Sequence, residues 1–414
     1  MAKGESELLR SPFSSTNFLP GAARPAPWFL SARQTRIKFL FVSLNRSDCF
    51  HMRTITRKIA SGCFATLSLV LAMAGSTLAA QKATVPEPAP KPGRKHTEST
   101  LKKVREAGGL VCGVDIEEPE WTLADAHGNR KAFDEDICKA VAVAVLGADA
   151  RATIKYFRDE TSSLAALKSG SIDVLATASK NFRFDNGGVL FGTPVFYDYQ
   201  GVMVDRDEGI HSLKDLEGKK ICGLVGTEIE YQLGAYMARE GIKYIPAPFS
   251  EEGEMEAALV TGTCQAVTAD VSQLAAERMA FKQLAPKYVI VPDVVITKDP
   301  LAPAVRTGDP QWAAIVDWTL HGLIQAEEMG ITRANLQEMK KRDDMLVQRL
   351  LGTHKGWGTF LGLDDDWACR AIEAVGNYGE IFERDLGSHS PMKLDRGLNN
   401  LSSHGGLIYS NPIR

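Results

Sequence analysis

From Ser99 onward, apolar runs of two kinds alternate along the chain. "STLKKVREAGG" predicts a short helix, with Ser99 or Thr100 as its cap and Gly108 or Gly109 at its end. "LVCGVD" follows as a strand. "DEDICKAVAVAVLG" then predicts a helix, "ATIKYF" a strand, "SSLAALKSG" a helix and "IDVLAT" a strand. After "YQGVMVD" the order restarts. "KKICGLV" is extended, a helix begins near Thr227, "IKYIPA" is extended, "EEGEMEAALVTG" is helical, and "CQAVTA" is extended. A further helix starts directly after Asp270, and the chain beyond "LAPAVR" is mostly helical with a Gly- and Asn-rich tail.

Strand–helix alternation predicts parallel sheets covered by helices, an α/β class. Two rounds in similar order predict two α/β lobes, without a close sequence repeat. In open α/β sheets ligands bind beyond the carboxyl ends of the strands. That rule directs attention to the loops after "CGVD", "IDVLAT", "GLVG" and "AVTA", the last of which carries Asp270.

The first 98 residues do not follow this pattern. A basic start at Met52, "MRTITRK", leads into the apolar "IASGCFATLSLVLAMAGSTLAA", which meets a polar chain at Gln81. A basic start, an apolar middle and a small-residue end make residues 52–80 a secretory signal peptide. Cys63 precedes the apolar run, the wrong side for lipidation. Residues 1–51 have no helical or strand period and read as an extension upstream of the true start at Met52; residues 81–98, rich in Pro and Lys, read as a flexible leader.

Removing the signal changes the charge. The first 80 residues hold 10 of the 48 Lys+Arg and 3 of the 51 Asp+Glu, leaving 38 against 48, a net of −10. An acidic exported protein is a poor partner for nucleic acid or an anionic membrane. Five cysteines remain, Cys112, Cys138, Cys222, Cys264 and Cys369, with no CxxC spacing. An oxidising compartment favours two disulfides and one spare thiol. Pairing Cys112 with Cys138 and Cys222 with Cys264 keeps each bridge inside one lobe and leaves Cys369 free.

Enzyme motifs are scarce. The chain has no GxGxxG, no GxxxxGK[ST], no HExxH and no GxSxG. Its histidines are dispersed, with no pair at metal-ligand spacing, and "LDDDW" lacks the alternating ligands of a calcium loop. No cofactor or metal is expected.

The strand-end residues form a pattern: "CGVD…W…DAHGNRKAFDEDICKAVA", "LKSGSIDVLATASKNFR", "LKDLEGKKICGLVGTE" and "GTCQAVTAD". With "LAPAVRTGDPQW", "LIQAEEMGITRANLQEMK", "GNYGEIFERDLG" and "GLNNLSSHGGLIYSNPIR", this resembles the periplasmic substrate-binding proteins of polar amino-acid ABC transporters. The likeness is greatest to the general L-amino-acid binding (AapJ/BztA-like) group of solute-binding protein family 3, and runs from about residue 99 to the C-terminus.

The resemblance implies two α/β lobes joined by a two-strand hinge and closing on one amino acid. Lobe one is expected at 99–204 plus 295–414 and lobe two at 205–294, with crossings at "GVMVD" and "VVITKD". The family's ligand residues carry over as follows. Arg183 matches the Arg that receives the ligand carboxylate. Ser179 and Thr177 match the hydroxyl residues before it. Gly226-Thr227 matches a turn whose N–H suits a carboxylate. Asp270 matches the Asp that receives the α-ammonium, and Trp121 the aromatic cover. The implied partners are an L-amino acid and inner-membrane permease subunits, for a monomer.

This chain departs from its relatives in two places. It carries "ATASKNF" where they have an "SRNTTWT"-like stretch, and Glu117, Glu118 and Glu120 in a first loop that is mostly neutral in them. Plainer readings also exist. Asp270 and Gln273 form a D-x-x-Q capping box, and Arg183 is also suited to a surface ion pair. Two other functions share the sequence features: a periplasmic dehydratase-like enzyme using a cleft carboxylate, and a sensor subunit presenting its closed form to a membrane receptor. The exported protein is expected to start at Ala80 or Gln81, checked by intact mass; a species retaining residues before Met52 contradicts the start site.

Overall fold

The computed structural model describes residues 99–115, 133–185, 187–291 and 294–414. The extension 1–51, the signal 52–80, the leader 81–98, Trp121 and the glutamates 117, 118 and 120 lie outside the described residues. No helix among those described is long and apolar enough to cross a membrane.

Helix α1 (Thr100–Ala107) opens the fold, capped by Ser99 and stopped by Gly108 in the left-handed region at φ 61°. Next come β1 (Leu110–Asp115), α2 (Phe133–Leu146), β2 (Ala152–Phe157), α3 (Glu160–Ser169), β3 (Val174–Ser179), the single turn α4 (Phe182–Asp185), β4 (Val189–Phe191) and β5 (Phe196–Asp198). β6 (Gln200–Asp205), β7 (Lys220–Leu224), α5 (Glu228–Glu240), β8 (Ile245–Phe249), α6 (Glu252–Val260), β9 (Ala266–Asp270), α7 (Val271–Ala280) and β10 (Tyr288–Ile290) form the second round. The chain returns through β11 (Asp299–Arg306) and ends in α8 (Pro310–Glu328), α9 (Leu336–Met339), α10 (Met345–Leu350), α11 (Trp367–Val375) and α12 (Tyr378–Asp385).

The strands make two sheets. The first runs β2-β1-β3-β11-β4, with β5 also paired to β11; the second runs β10-β6-β9-β7-β8. β1 is parallel to β2 and β3, and β7 is parallel to β8 and β9. β11 runs antiparallel to β3, and β6 antiparallel to β9. The protein is thus two α/β lobes joined by a pair of connecting segments.

The first connection lies earlier than the sequence suggested. "GVMVD" belongs to β6, inside the second sheet, so the chain crosses between Asp198 and Gln200. "FYDYQGVMVD" is one extended run, and only Tyr199 separates β5 from β6. Hydrophobic pattern cannot see so short a break.

Helix α2 shows packing overriding propensity. Half of its "AVAVAV" core is β-branched valine, which disfavours helix, yet every residue from Ala140 to Val145 is buried. α11 and α8 pack against it. The carbonyls of Val143 and Ala144, in its last turn, accept from the Arg370 guanidinium at 3.1 and 2.9 Å. That cation satisfies orphan acceptors and opposes the negative end of the helix dipole. The tail reaches back to the crossing: Asn399 accepts from the Tyr197 N–H at 2.6 Å and donates to its carbonyl at 3.2 Å.

Cys112 of β1 is disulfide-bonded to Cys138 of α2, and Cys222 of β7 to Cys264 just before β9, with Cα separations of 5.9 and 6.0 Å. Each bridge ties a strand to a neighbour in its own lobe, and Cys369 is free and buried. Replacing Cys222 and Cys264 together by Ser should cost about 2–4 kcal/mol of stability and leave secondary structure unchanged. Denaturant melts and non-reducing peptide mapping check both; a bridge between the lobes contradicts the pairing.

Candidate functional site

Strands end where their side chains can face a shared space. β1 ends on Asp115, β3 on Ser179, β5 on Asp198 and β9 on Asp270, while β11 begins on Asp299. These five residues, with Asp134, Glu160, Thr177, Ala178, Ser272, Gln273 and Leu301, line a cavity of about 230 Å³. Residues of both lobes contribute. The size suits a small solute.

Among the described residues that line it, six are acidic and none is Lys, Arg or His. Among the described residues, no three His, Cys, Asp or Glu are arranged to hold a metal ion. The hydroxyl groups are committed to the acids. Thr177 Oγ1 donates to Asp134 Oδ2 at 2.9 Å and Ser179 Oγ to Asp299 Oδ1 at 2.5 Å. Ser272 Oγ donates to Asp198 Oδ2. The Ser179 N–H donates to Glu160 Oε1 at 2.8 Å. Among the described residues, the hydroxyls on the cavity wall thus donate to neighbouring carboxylates.

Burial sets the ionisation. Desolvation raises the Asp134 carboxyl to about 7; the Thr177 hydrogen bond opposes the rise, and the charge of Asp115 adds to it. Asp198 is likewise pushed up to about 7, first by burial and then by the negative charge of Asp270. The bonds from Ser272 and from the Tyr199 N–H at 2.8 Å lower it only in part. Asp299 is raised by burial, against the pull of Ser179. Asp134 is 7 % exposed, and its Oδ1 has no hydrogen-bond partner among the described residues.

The anticipated ligand residues divide into two groups. Asp270, Ser179 and Thr177 line the cavity; Arg183, Gly226 and Thr227 do not. Arg183 is exposed on α4, its guanidinium carbon 5.4 Å from the Phe184 ring centre, while Asn181 caps that turn. Thr227 caps α5, accepting from the Glu230 N–H at 3.2 Å. The Gly226 N–H, the proposed carboxylate donor, is occupied by Glu230 Oε2 at 2.8 Å. Asp270 stands at the start of α7 but makes no side-chain cap bond, and Gln273 donates to Glu252 instead. The capping-box reading of this pair therefore does not hold.

Asp115, Asp134, Asp198 and Asp299 went unremarked as site residues in the sequence. Asp115 and Asp299 were signalled by their place at a strand end. Asp198 and Asp134 carried no such signal, because only the fold turns them toward the same space. A second cavity of about 290 Å³ lies among Trp318, Arg349, Trp357, Phe360 and the C-terminal tail, away from the strand ends.

A sequence-family profile described as NMT1/THI5 like matches residues 159–301. The general L-amino acid-binding periplasmic protein AapJ of Rhizobium johnstonii is 41% identical over 321 residues, 76% of this chain and 93% of that protein. The glutamate/glutamine/aspartate/asparagine-binding protein BztA of Rhodobacter capsulatus is 39% identical over 319 residues, 76% of this chain and 94% of that one. The chain belongs to the periplasmic binding proteins of amino-acid ABC transporters. A solved member, a periplasmic binding protein from Brucella ovis with glutathione bound, is 39% identical with a TM-score of 0.65, covering 77% of this chain and 100% of that one. This binding protein therefore has the family's two-lobed fold across all its described sheets, and a cleft lined by carboxylates.

The raised carboxyls have a stability consequence with a definite sign. A carboxyl titrating near 7 when folded and near 4 when unfolded holds more protons in the folded state between those values. Its contribution to stability therefore falls as pH rises through that window. Asp134→Asn keeps the Thr177 bond and removes the charge. Its stability relative to wild type should improve between pH 4 and 7.5 by on the order of 1–3 kcal/mol. Denaturant melts at the two pH values check this; no change in the difference means that Asp134 titrates normally.

Proposed function

We propose that this protein is the exported receptor of an ABC importer, capturing an L-amino acid in its inter-lobe cleft and delivering it to an inner-membrane permease. It acts as a monomer, after removal of the signal at 52–80. The observation that carries this reading is the Asp198–Asp270 pair at the chain crossing, in a cavity contributed by both lobes of a chain from this family. An amino acid presents an ammonium group that needs an opposite charge once desolvated. Asp270 supplies it, with Asp198 beside it. Arg183, on the lobe-one turn after β3, is the partner proposed for the ligand carboxylate, which it reaches when the lobes close. A ligand that contacts both lobes stabilises the closed arrangement by its differential affinity for it.

The reading involves no covalent chemistry. A dehydratase-like enzyme is the competing reading, favoured by the Asp134 and Asp198 carboxyls, which titrate near the pH where an acid catalyst works. Mass spectrometry of ligand retained by the purified protein should recover an unaltered amino acid; a ligand converted on incubation favours the enzyme.

Asp270→Asn should weaken amino-acid binding by roughly 2–5 kcal/mol with little change in melting temperature, since no cap bond is lost. Arg183→Ala should weaken binding and leave the fold intact. Calorimetric titration with thermal melts reads both. Wild-type affinity in Asp270→Asn removes the proposed ammonium site.

A further inference from the structure

The second cavity, of about 290 Å³, lies in the C-terminal part of lobe one and has a different chemistry from the cleft. Four aromatic residues line it: Trp318 of α8, Trp357, Phe360 and Trp367 of α11. Arg349 of α10 and Arg414 line it too, and among the described residues on its wall none is Asp or Glu. Arg349 is held there on an aromatic face. Its guanidinium carbon lies 4.5 Å from the Trp357 ring centre. One terminal N–H group donates to the Met345 sulfur at 3.0 Å, a weak acceptor. Nε is buried and has no hydrogen-bond partner among the described residues. No carboxylate among those residues pairs with Arg349 or Arg414. A guanidinium stacked on a ring keeps its edge for a carboxylate, which it meets through two parallel N–H bonds. A buried N–H group without an acceptor costs free energy until one arrives.

The aromatic wall says what the rest of the ligand is. Phe360, in the short turn Gly358–Phe360, is 81 % exposed, and its ring centre lies 5.8 Å from that of Trp357 with the planes tilted by 51°. A flat ring placed against this pair covers apolar surface that now faces water. Indole and phenyl rings favour offset or edge-on partners, which a second flat ring supplies. The volume is at the small end for ligand sites, which run from about 300 to 1,000 Å³. It suits one ring with a short side chain.

We propose that this cavity is a second binding site, for a small aromatic carboxylate, with its ring against Trp357 and Phe360 and its carboxylate on Arg349. Arg414 adds electrostatic attraction from the same wall. The site goes beyond the receptor reading above and does not rest on it, since it shares no lining residue with the cleft.

The test is calorimetric titration of the exported protein with 3-phenylpropionate at pH 7.5 and low salt. Three further titrants take the ligand apart. 2-Phenylethylamine offers the ring with the opposite charge, 2-phenylethanol the ring without charge, and propionate the charge without the ring. The expected result is that 3-phenylpropionate binds at least tenfold more tightly than each of the three. Arg349→Gln should lower its affinity at least tenfold. Phe360→Ala, a second variant at an exposed position in case the first misfolds, should lower it at least threefold. Thermal melts report whether each variant is folded. The expected order of titrants, with loss of affinity in a folded variant, supports the proposal. Equal or tighter binding of the amine, the alcohol or propionate overturns it. So does the absence of 3-phenylpropionate binding at millimolar concentration, or undiminished affinity in the folded variants.

Discussion

Two passages of the chain between the lobes meet at opposed carboxylates, and the surrounding structure has to accommodate that meeting. Asp198, at the end of β5, pairs in register with Asp299, at the start of β11. Asp270 adds its charge to Asp198 from the last position of the lobe-two strand β9. Buried like charges repel and resist desolvation. Here they are offset by donors drawn from the nearest backbone and hydroxyls: Tyr199 and Ser272 for Asp198, Ser179 for Asp299. Those donors are the same groups that would otherwise meet a ligand, so the cost of folding this crossing decides the polarity of the cleft.

The rest of each lobe serves to hold these strand ends. In lobe one, α2 is trapped between the sheet and the C-terminal helices, and the Cys112–Cys138 bridge joins it to β1, the strand that carries Asp115. In lobe two, the Gln200 amide donates to the Ile229 carbonyl and to Thr268 Oγ1, both at 2.9 Å, fixing the start of β6 against α5 and β9. Position at the site is therefore set by packing, a disulfide and hydrogen bonds away from the cavity wall.

Much of the architecture was legible from residue pattern. The alternation of strands and helices, the Gly108 and Gly170 stops and the two rounds of order all depend on local spacing, which sequence displays directly. The first crossing was not legible, because one residue, Tyr199, breaks an otherwise continuous extended run. The site was legible only in part. Asp270, Ser179 and Thr177 sit at strand ends, where the α/β rule directs attention. Asp134 and Asp198 become site residues through burial and mutual proximity, which no spacing encodes. Arg183 matched a family position by sequence, yet it lies on the exposed turn α4. Gly226 matched as well, but Glu230, in the first turn of α5, takes its N–H.

Asn399 grips both the N–H and the carbonyl of Tyr197, so β5 is clamped to the C-terminal tail up to the residue before Asp198. On the other side Gln200 is already fastened to lobe two. Between these fixtures the outgoing connection is Asp198 and Tyr199 alone, and the Tyr199 carbonyl accepts from the Val271 N–H at 2.9 Å. The outgoing passage between the lobes is thus two residues wide, and the far C-terminus, distant in sequence from the cleft, is the bracket that holds the strand leading into it.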